Sequence, residues 1–301
     1  MSHNVILLDG AIGTSLWNKA TNKVPVWRYN IENPKIVREL HEEYIDAGAQ
    51  LIQANTFAAN GPEVSRDSSY SVEQVVRTAV KIAKDVVDKR RSENGGLKLV
   101  LAAGPLTGLL KPFGRIEHQT AKDIYEEMIG AGMEEHPDVI LLETFMDLEM
   151  LKIAARAAKA YDIPVMCSMS FMGANKNGKR PPVAITMMGN KVVQIVKEMT
   201  ELGVNAVGLN CSMGPIDALP VVEEFVAATD LPVIFKPNAG KPLLSAAGAP
   251  AGASFDVEAF ANDVLPAVDK GATYIGGCCG SDPMYIKRLA EKLREKLAAE
   301  A

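Results

Sequence analysis

Three of the four cysteines in this 301-residue chain stand where an apolar run gives way to glycine or a turn. Cys278 and Cys279 lie in Gly276-Gly277-Cys278-Cys279-Gly280, after Ala272 to Ile275 and before Ser281-Asp282-Pro283, which reads as a helix start. Glycine at that density weakens strand and helix alike and marks a turn or a close backbone approach. Cys211 ends Ala206-Val207-Gly208-Leu209-Asn210 in the same manner, ahead of Ser212-Met213-Gly214-Pro215. Three thiols at two strand tips suit a zinc ion with an open fourth position. The adjacent pair could instead pack quietly or form a strained disulfide, but neither explains Cys211 at an equivalent tip. Cys167, inside a predicted strand, reads as a small buried hydrophobe.

The elements that must hold these thiols alternate along the chain. Apolar runs of strand length fall at Val5 to Leu8, Leu51 to Phe57, Leu97 to Ala103, Asp138 to Thr144, Pro164 to Phe171, Ala206 to Cys211, Pro232 to Asn238 and Thr273 to Gly277. Between them come helical patterns from Asn33-Pro34 to Gly48, then over Ser71 to Arg91, Gln119 to Glu135, Asp147 to Tyr161, Asn190 to Leu202, Ile216 to Ala228 and Asp256 to Lys270. A last helix runs from Pro283 to Leu297. Eight such units predict a parallel sheet covered on both faces, closed as a (β/α)8 TIM barrel. No Pro- or Ser-rich linker interrupts them, so residues 1–301 read as one domain.

The barrel gives the polar residues an address. Asp9, Asn55-Thr56, Glu143-Thr144, Asn210-Cys211, Asn238 and Cys278-Cys279 all fall at C-terminal strand ends, the face that carries the active site in this fold. Each has a plainer reading. Asp9 before Gly10 could only shape a turn, and Glu143 could be a solvated strand end or a salt-bridge partner. Trp17 and Trp27 read as core rather than as a loop over the mouth. Gly10-Ala11-Ile12-Gly13 is too short and wrongly patterned for a dinucleotide fingerprint. His3, His41, His118 and His136 lack metal-ligand spacing.

A net charge of −5 argues against general affinity for nucleic acid or anionic membranes. No apolar run approaches a membrane span, and Met1-Ser2-His3-Asn4 leads into a strand rather than a signal peptide. So few cysteines suit a reducing cytoplasm and not a disulfide scaffold.

The segments Leu8-Asp9-Gly10-Ala11-Ile12-Gly13-Thr14, Ala54-Asn55-Thr56-Phe57, Leu142-Glu143-Thr144, Gly208-Leu209-Asn210-Cys211, Lys236-Pro237-Asn238-Ala239-Gly240 and Gly276-Gly277-Cys278-Cys279-Gly280 follow one another as in homocysteine S-methyltransferases. The chain resembles that family over nearly its whole length, most closely the homocysteine-binding module of cobalamin-dependent methionine synthases. Betaine- and S-methylmethionine-dependent members share the fold and the thiol motif. The resemblance implies zinc on Cys211, Cys278 and Cys279, and homocysteine recognition around Asp9, Gly10, Thr56, Glu143 and Asn238.

The residue types suit that chemistry. A free thiol has a pKa near 8.5, so homocysteine at neutral pH is mostly the protonated, poor nucleophile. Coordination to zinc deprotonates it, and three cysteinates already make the site anionic, which keeps a fourth sulfur electron-rich. Asp9 and Glu143 could bind the acceptor's ammonium. The Asp9-Gly10-Ala11 turn and the Asn238 amide could donate to its carboxylate. A zinc hydrolase would need a general base that is not evident, and a zinc-dependent sensor or scaffold would have no use for the rim carboxylates. No corrinoid or folate domain precedes Ala301, so the expected donor is a methylcorrinoid (methylcobalamin) on a separate protein. S-Methylmethionine, S-adenosylmethionine or betaine is the alternative. A sulfonium pocket would offer aromatic faces to the cation, and the sequence provides few candidates: Trp17, Trp27, Phe57, Phe145 and Phe171.

Overall fold

The eight expected strands are present in the computed structural model, which describes residues 5–91, 96–173, 183–239 and 256–300. They are β1 (Ile6–Leu7), β2 (Leu51–Gln53), β3 (Lys98–Ala103), β4 (Val139–Phe145), β5 (Val165–Met169), β6 (Ala206–Asn210), β7 (Val233–Lys236) and β8 (Ala272–Ile275). All pair in parallel in the order β1-β8-β7-β6-β5-β4-β3-β2. The remaining seam, β1 to β2, is closed by the Leu8–Leu51 bridge and by Gln50 N donating to Leu7 O at 2.7 Å. The sheet is therefore a (β/α)8 barrel. Met1 to Asn4 and the Asn94-Gly95 helix stop lie outside the described residues.

The helices around it are α1 (Ile12–Lys19), α2 (Tyr29–Glu32), α3 (Pro34–Asp46), α4 (Gly61–Asp67), α5 (Val72–Arg91), α6 (His118–Met133), α7 (Leu148–Ala158), α8 (Val192–Glu201), α9 (Pro215–Ala228), α10 (Val257–Val264), α11 (Pro266–Asp269) and α12 (Pro283–Glu300). Three of these, α1, α2 and α4, are too short for periodicity to reveal. The start of α4 is nonetheless written locally: Asn60 caps it, accepting from Glu63 N at 3.2 Å, and Pro62 stands in its first turn. The single helix expected from Asp256 to Lys270 is two, because Pro266 lacks the N–H that would continue α10. No described helix is long and apolar enough to cross a membrane.

Two apolar layers result. The larger lies between sheet and helices; α5 alone contributes Val72, Val75, Val76, Val80, Ile82, Ala83, Val86 and Val87 to it. The smaller plugs the barrel itself: Leu8, Leu51, Val100, Val139, Leu141, Met166, Ala206 and Ile234, with Ile6 and Tyr274 against them. Strand side chains alternate between faces. Two residues further along, the same inward positions are therefore held by Gln53, Ala102, Glu143, Ser168, Gly208, Lys236 and Gly276. The barrel interior thus changes from apolar to charged in one layer.

One buried histidine makes the fold's acid stability testable. His41, on α3, has no exposed surface, and neither ring nitrogen has a hydrogen-bond partner among the described residues. Burial, and then the charge of Arg38, lower its pKa from 6.5 to about 4. The unfolded chain binds a proton near pH 6.5 that the folded chain refuses, so stability falls as pH drops through this window. The loss from 6.5 to about 4 amounts to about 3 kcal/mol. Chemical denaturation of the wild type and His41→Leu should therefore diverge on acidification, the wild type losing the more. A difference between the two that is constant from pH 7 to 4 would mean that His41 titrates normally.

Candidate active site

The three cysteines meet at the mouth of the barrel. Cys211 follows β6, while Cys278 and Cys279 follow β8, so the thiols straddle β7. Their sulfurs lie within 4.8 Å of one another, with Cys211 Sγ 3.8 Å from Cys279 Sγ. Two thiolates at the usual zinc–sulfur distance of about 2.3 Å and a tetrahedral angle stand about 3.8 Å apart. Spacing and donor type therefore both fit a zinc ion. Cys167 is buried in β5, away from this cluster, as expected.

Backbone bonds fix the tips. Cys211 N donates to Lys236 O at 3.0 Å, Cys278 N to Pro237 O at 2.8 Å, and Ala239 N to Cys279 O at 2.9 Å. Cys211 and Ser212 take left-handed φ values of 62° and 55°, and Thr144, near the end of β4 on the far side of β5, takes 69°. Three non-glycine residues at this end of the barrel thus hold a disfavoured backbone, the kind of strain that concentrates at functional sites. Asn210 ties the tips together. Its Oδ1 accepts from Thr144 N at 2.8 Å and Ser168 Oγ at 2.6 Å, and its Nδ2 donates to Thr144 Oγ1 at 2.7 Å and toward Cys278 Sγ at 3.7 Å. Hydrogen bonds from Cys278 and Cys279 favour a thiolate at Cys211 and lower its pKa. That thiolate in turn holds the protons on Cys278 and Cys279 and raises theirs.

Below the thiols lies the charged layer. Lys236 Nζ, on a side chain only 2% exposed, is 3.2 Å from Glu143 Oε2 and 3.9 Å from Asp9 Oδ1. Asp9 also accepts from Gln53 N at 2.7 Å and Gln53 Nε2 at 2.6 Å. Burial raises Asp9 from 3.8 to about 6, against the opposing pull of Lys236 and the two Gln53 bonds. Its contribution to stability is thus present below pH 3.8 and is lost as pH rises through 6. Burial likewise raises Glu143, with Lys236 opposing. Burial alone would lower Lys236, but the two carboxylates more than offset it and its pKa is raised.

A cavity of 410 Å³ opens over this floor. Gly10, Glu143, Lys236 and the three cysteines line it, with Trp17, Trp27 and Phe57 on its wall. Trp27 is also part of the main core, as expected, while Trp17 is half-buried. Phe145 and Phe171 are buried and do not line the cavity. Gly10 is required by close approach: a Cβ there would stand 2.3 Å from Ser281 O. Ile12, Gly13 and Thr14 open α1 on the cavity wall, and the first helical bond is Ser15 N to Ala11 O. Their N–H groups therefore have no partner within the helix.

Of the acceptor residues expected from sequence, Gly10 and Glu143 line the cavity and Asp9, Thr56 and Asn238 do not. Asp9 is enclosed and saturated by Gln53 and Lys236. Thr56 is enclosed too, its hydroxyl donating to Ala102 O at 2.6 Å. Asn238 has no exposed surface, and its side-chain amide lacks a partner among the described residues. The Ala11 amide expected to serve the acceptor donates instead to Ser281 O at 2.9 Å. Lys236 and Gln53 were given no role by sequence, although counting by twos from Ile234 and Leu51 puts both in the Glu143 layer.

The model of the homocysteine S-methyltransferase family matches residues 6–293. A methionine synthase from Mycobacterium tuberculosis is 27% identical over 310 residues, which are 96% of this chain but 25% of that protein. Betaine–homocysteine S-methyltransferase 1 from Bos taurus is 25% identical over 312 residues, covering 97% of this chain and 73% of its own length. The chain thus spans about a quarter of the methionine synthase it matches. Among solved structures, the metallated form of the homocysteine methyltransferase MmuM from Escherichia coli superposes with a TM-score of 0.77, 20% identity and 97% coverage of both chains.

Proposed function

Because this chain belongs to the homocysteine S-methyltransferase family, we propose that it is a zinc-dependent enzyme that methylates the thiol of homocysteine to give methionine. The observation that carries this reading is the convergence of three thiols and the Glu143 carboxylate of the floor on one cavity at the mouth. A zinc ion held by Cys211, Cys278 and Cys279 would supply a Lewis acid that keeps the acceptor sulfur as a thiolate. The residues around it orient that sulfur. Glu143 takes the ammonium of the amino-acid head. N–H groups at the start of α1, beside Gly10, which have no partner within the helix, donate to its carboxylate. Asp9 supports the floor through Gln53 and Lys236 rather than by touching the acceptor, and Thr56 and Asn238 brace the loops. The thiol proton leaves to solvent. The sulfur then attacks the methyl carbon in line, an S–C bond forms, and the electron pair of the breaking bond departs with the carrier.

The donor we propose is a methylcorrinoid carried by another protein module that docks on the mouth. Exposed apolar side chains support this: Phe57, Phe113, Met172, Met187, Ile216 and Met284 all lie in segments that follow C-terminal strand ends. A second reading, a small sulfonium or ammonium donor such as S-methylmethionine or betaine, is supported by the wall of Trp17, Trp27 and Phe57. A donor panel with homocysteine fixed separates them. Free methylcobalamin should give slow, zinc-dependent methionine formation. Rapid turnover with S-methylmethionine, S-adenosylmethionine or betaine and none with methylcobalamin would replace the donor and keep the thiolate chemistry. Zinc binding without turnover of any donor would make the protein a sensor or scaffold.

A further inference from the structure

The buried ammonium of Lys236 is unexplained by packing. Burying an ion pair costs more desolvation than a well-packed apolar side chain would, so stability alone does not call for a lysine inside the barrel. Its surroundings indicate a purpose. Asp9 is fully used, by two bonds from Gln53 and the Lys236 charge. Glu143 has one oxygen, Oε2, bonded to Lys236 at 3.2 Å, and no other side-chain hydrogen bond among the described residues. Glu143 and Lys236 both line the cavity, whereas Asp9 does not. Two carboxylates and one ammonium leave the floor with a single surplus negative charge, and of the two carboxylates only Glu143 lines the cavity.

We infer that Lys236 is a positioning residue for acceptor specificity: it pins Glu143 by Oε2 and so presents the other carboxylate oxygen to a single ammonium group on the acceptor. The inference rests on the homocysteine reading. Lys236 acts through Glu143, so its removal should be felt by thiols that carry an ammonium and not by thiols that lack one.

Calorimetric titration of the zinc-loaded full chain tests this without any methyl donor. The probes are homocysteine, 4-mercaptobutanoate, which lacks the amine, and 3-aminopropane-1-thiol, which lacks the carboxylate. Lys236→Met should weaken binding of both amine-bearing thiols by roughly tenfold or more, the scale of a bond to a charged group, and leave 4-mercaptobutanoate unchanged. The double variant Lys236→Met/Glu143→Gln should bind homocysteine no more weakly than Glu143→Gln alone. That comparison also serves if Lys236→Met by itself does not fold, since the double variant leaves no Glu143 carboxylate without its ammonium, and Asp9 keeps both bonds from Gln53. Selective loss of the two carboxylate-bearing thiols would make Lys236 a carboxylate contact and overturn the inference. Equal losses for all three thiols, or additive losses in the double variant, would overturn it as well. A wild-type preference for homocysteine over 4-mercaptobutanoate that survives Lys236→Met sinks the role of Lys236 alone. No wild-type preference sinks the acceptor reading, and this role with it.

Discussion

Alanine at Cys211, Cys278 or Cys279 is expected to remove zinc and methyl transfer together, while Cys167→Ala leaves both intact. The thiols proposed to hold zinc are the three within 4.8 Å of one another at the mouth, and Cys167 is sealed in β5. At pH 7 only about 3% of a free thiol is ionised, so losing the means to hold the acceptor as thiolate costs about thirtyfold before any loss of orientation. Measured turnover should therefore fall to background. The melting temperature should move little, because the apolar plug and the outer core lie below the rim. Zinc content by atomic absorption and methionine formation, measured on the same preparations, decide the matter. Full zinc and full turnover in Cys211→Ala would dismantle the site.

Glu143→Gln should be the next most damaging change. It removes the cavity-lining carboxylate proposed to hold the ammonium, worth roughly 1.5–3 kcal/mol for a hydrogen bond to a charged group. The KM for homocysteine should rise between about tenfold and a hundredfold, whereas that for 4-mercaptobutanoate should stay close to the wild-type value. The substitution also leaves Lys236 with Asp9 as its one remaining carboxylate, at 3.9 Å. A denaturation curve should accompany the kinetics. Equal losses with both thiols, together with a large drop in stability, would mean that Glu143 serves the floor and not the acceptor.

The barrel was legible because each strand is a short apolar run and each long helix carries a 3.6-residue stripe. The thiol site was legible because cysteine and glycine rarely gather at strand tips without cause. What escaped was set by three-dimensional company. Asp9 and Glu143 look alike in sequence, each a carboxylate at a strand end, yet one is consumed by Gln53 and Lys236 and the other lines the cavity. Lys236 stands among Phe235, Pro237 and Asn238 with nothing local to mark its burial. Only the pairing of β7 between β6 and β8 brings its ammonium to carboxylates from β1 and β4. The short helices α1, α2 and α4 carry too few turns for a stripe, although proline and asparagine announce the start of α4.

The narrowest join in the barrel is β1 against β2, where β1 is two residues long and the pairing reduces to one bridge. Asp9 crosses that join, and its two bonds from Gln53 continue the stitching one residue beyond it. The proposed acceptor floor and the clasp of the barrel are thus partly the same atoms. For the protein's capacity to acquire new acceptors, this divides the floor into two kinds of position. Changes at Asp9 or Gln53 loosen the architecture along with the specificity, so selection or design that begins there must repair the seam before it gains a substrate. Changes at Glu143 and on the aromatic wall touch no seam hydrogen bond. New thiol preferences are therefore more accessible through those positions, and the pair nearest the first strand should be the slowest part of the site to diversify.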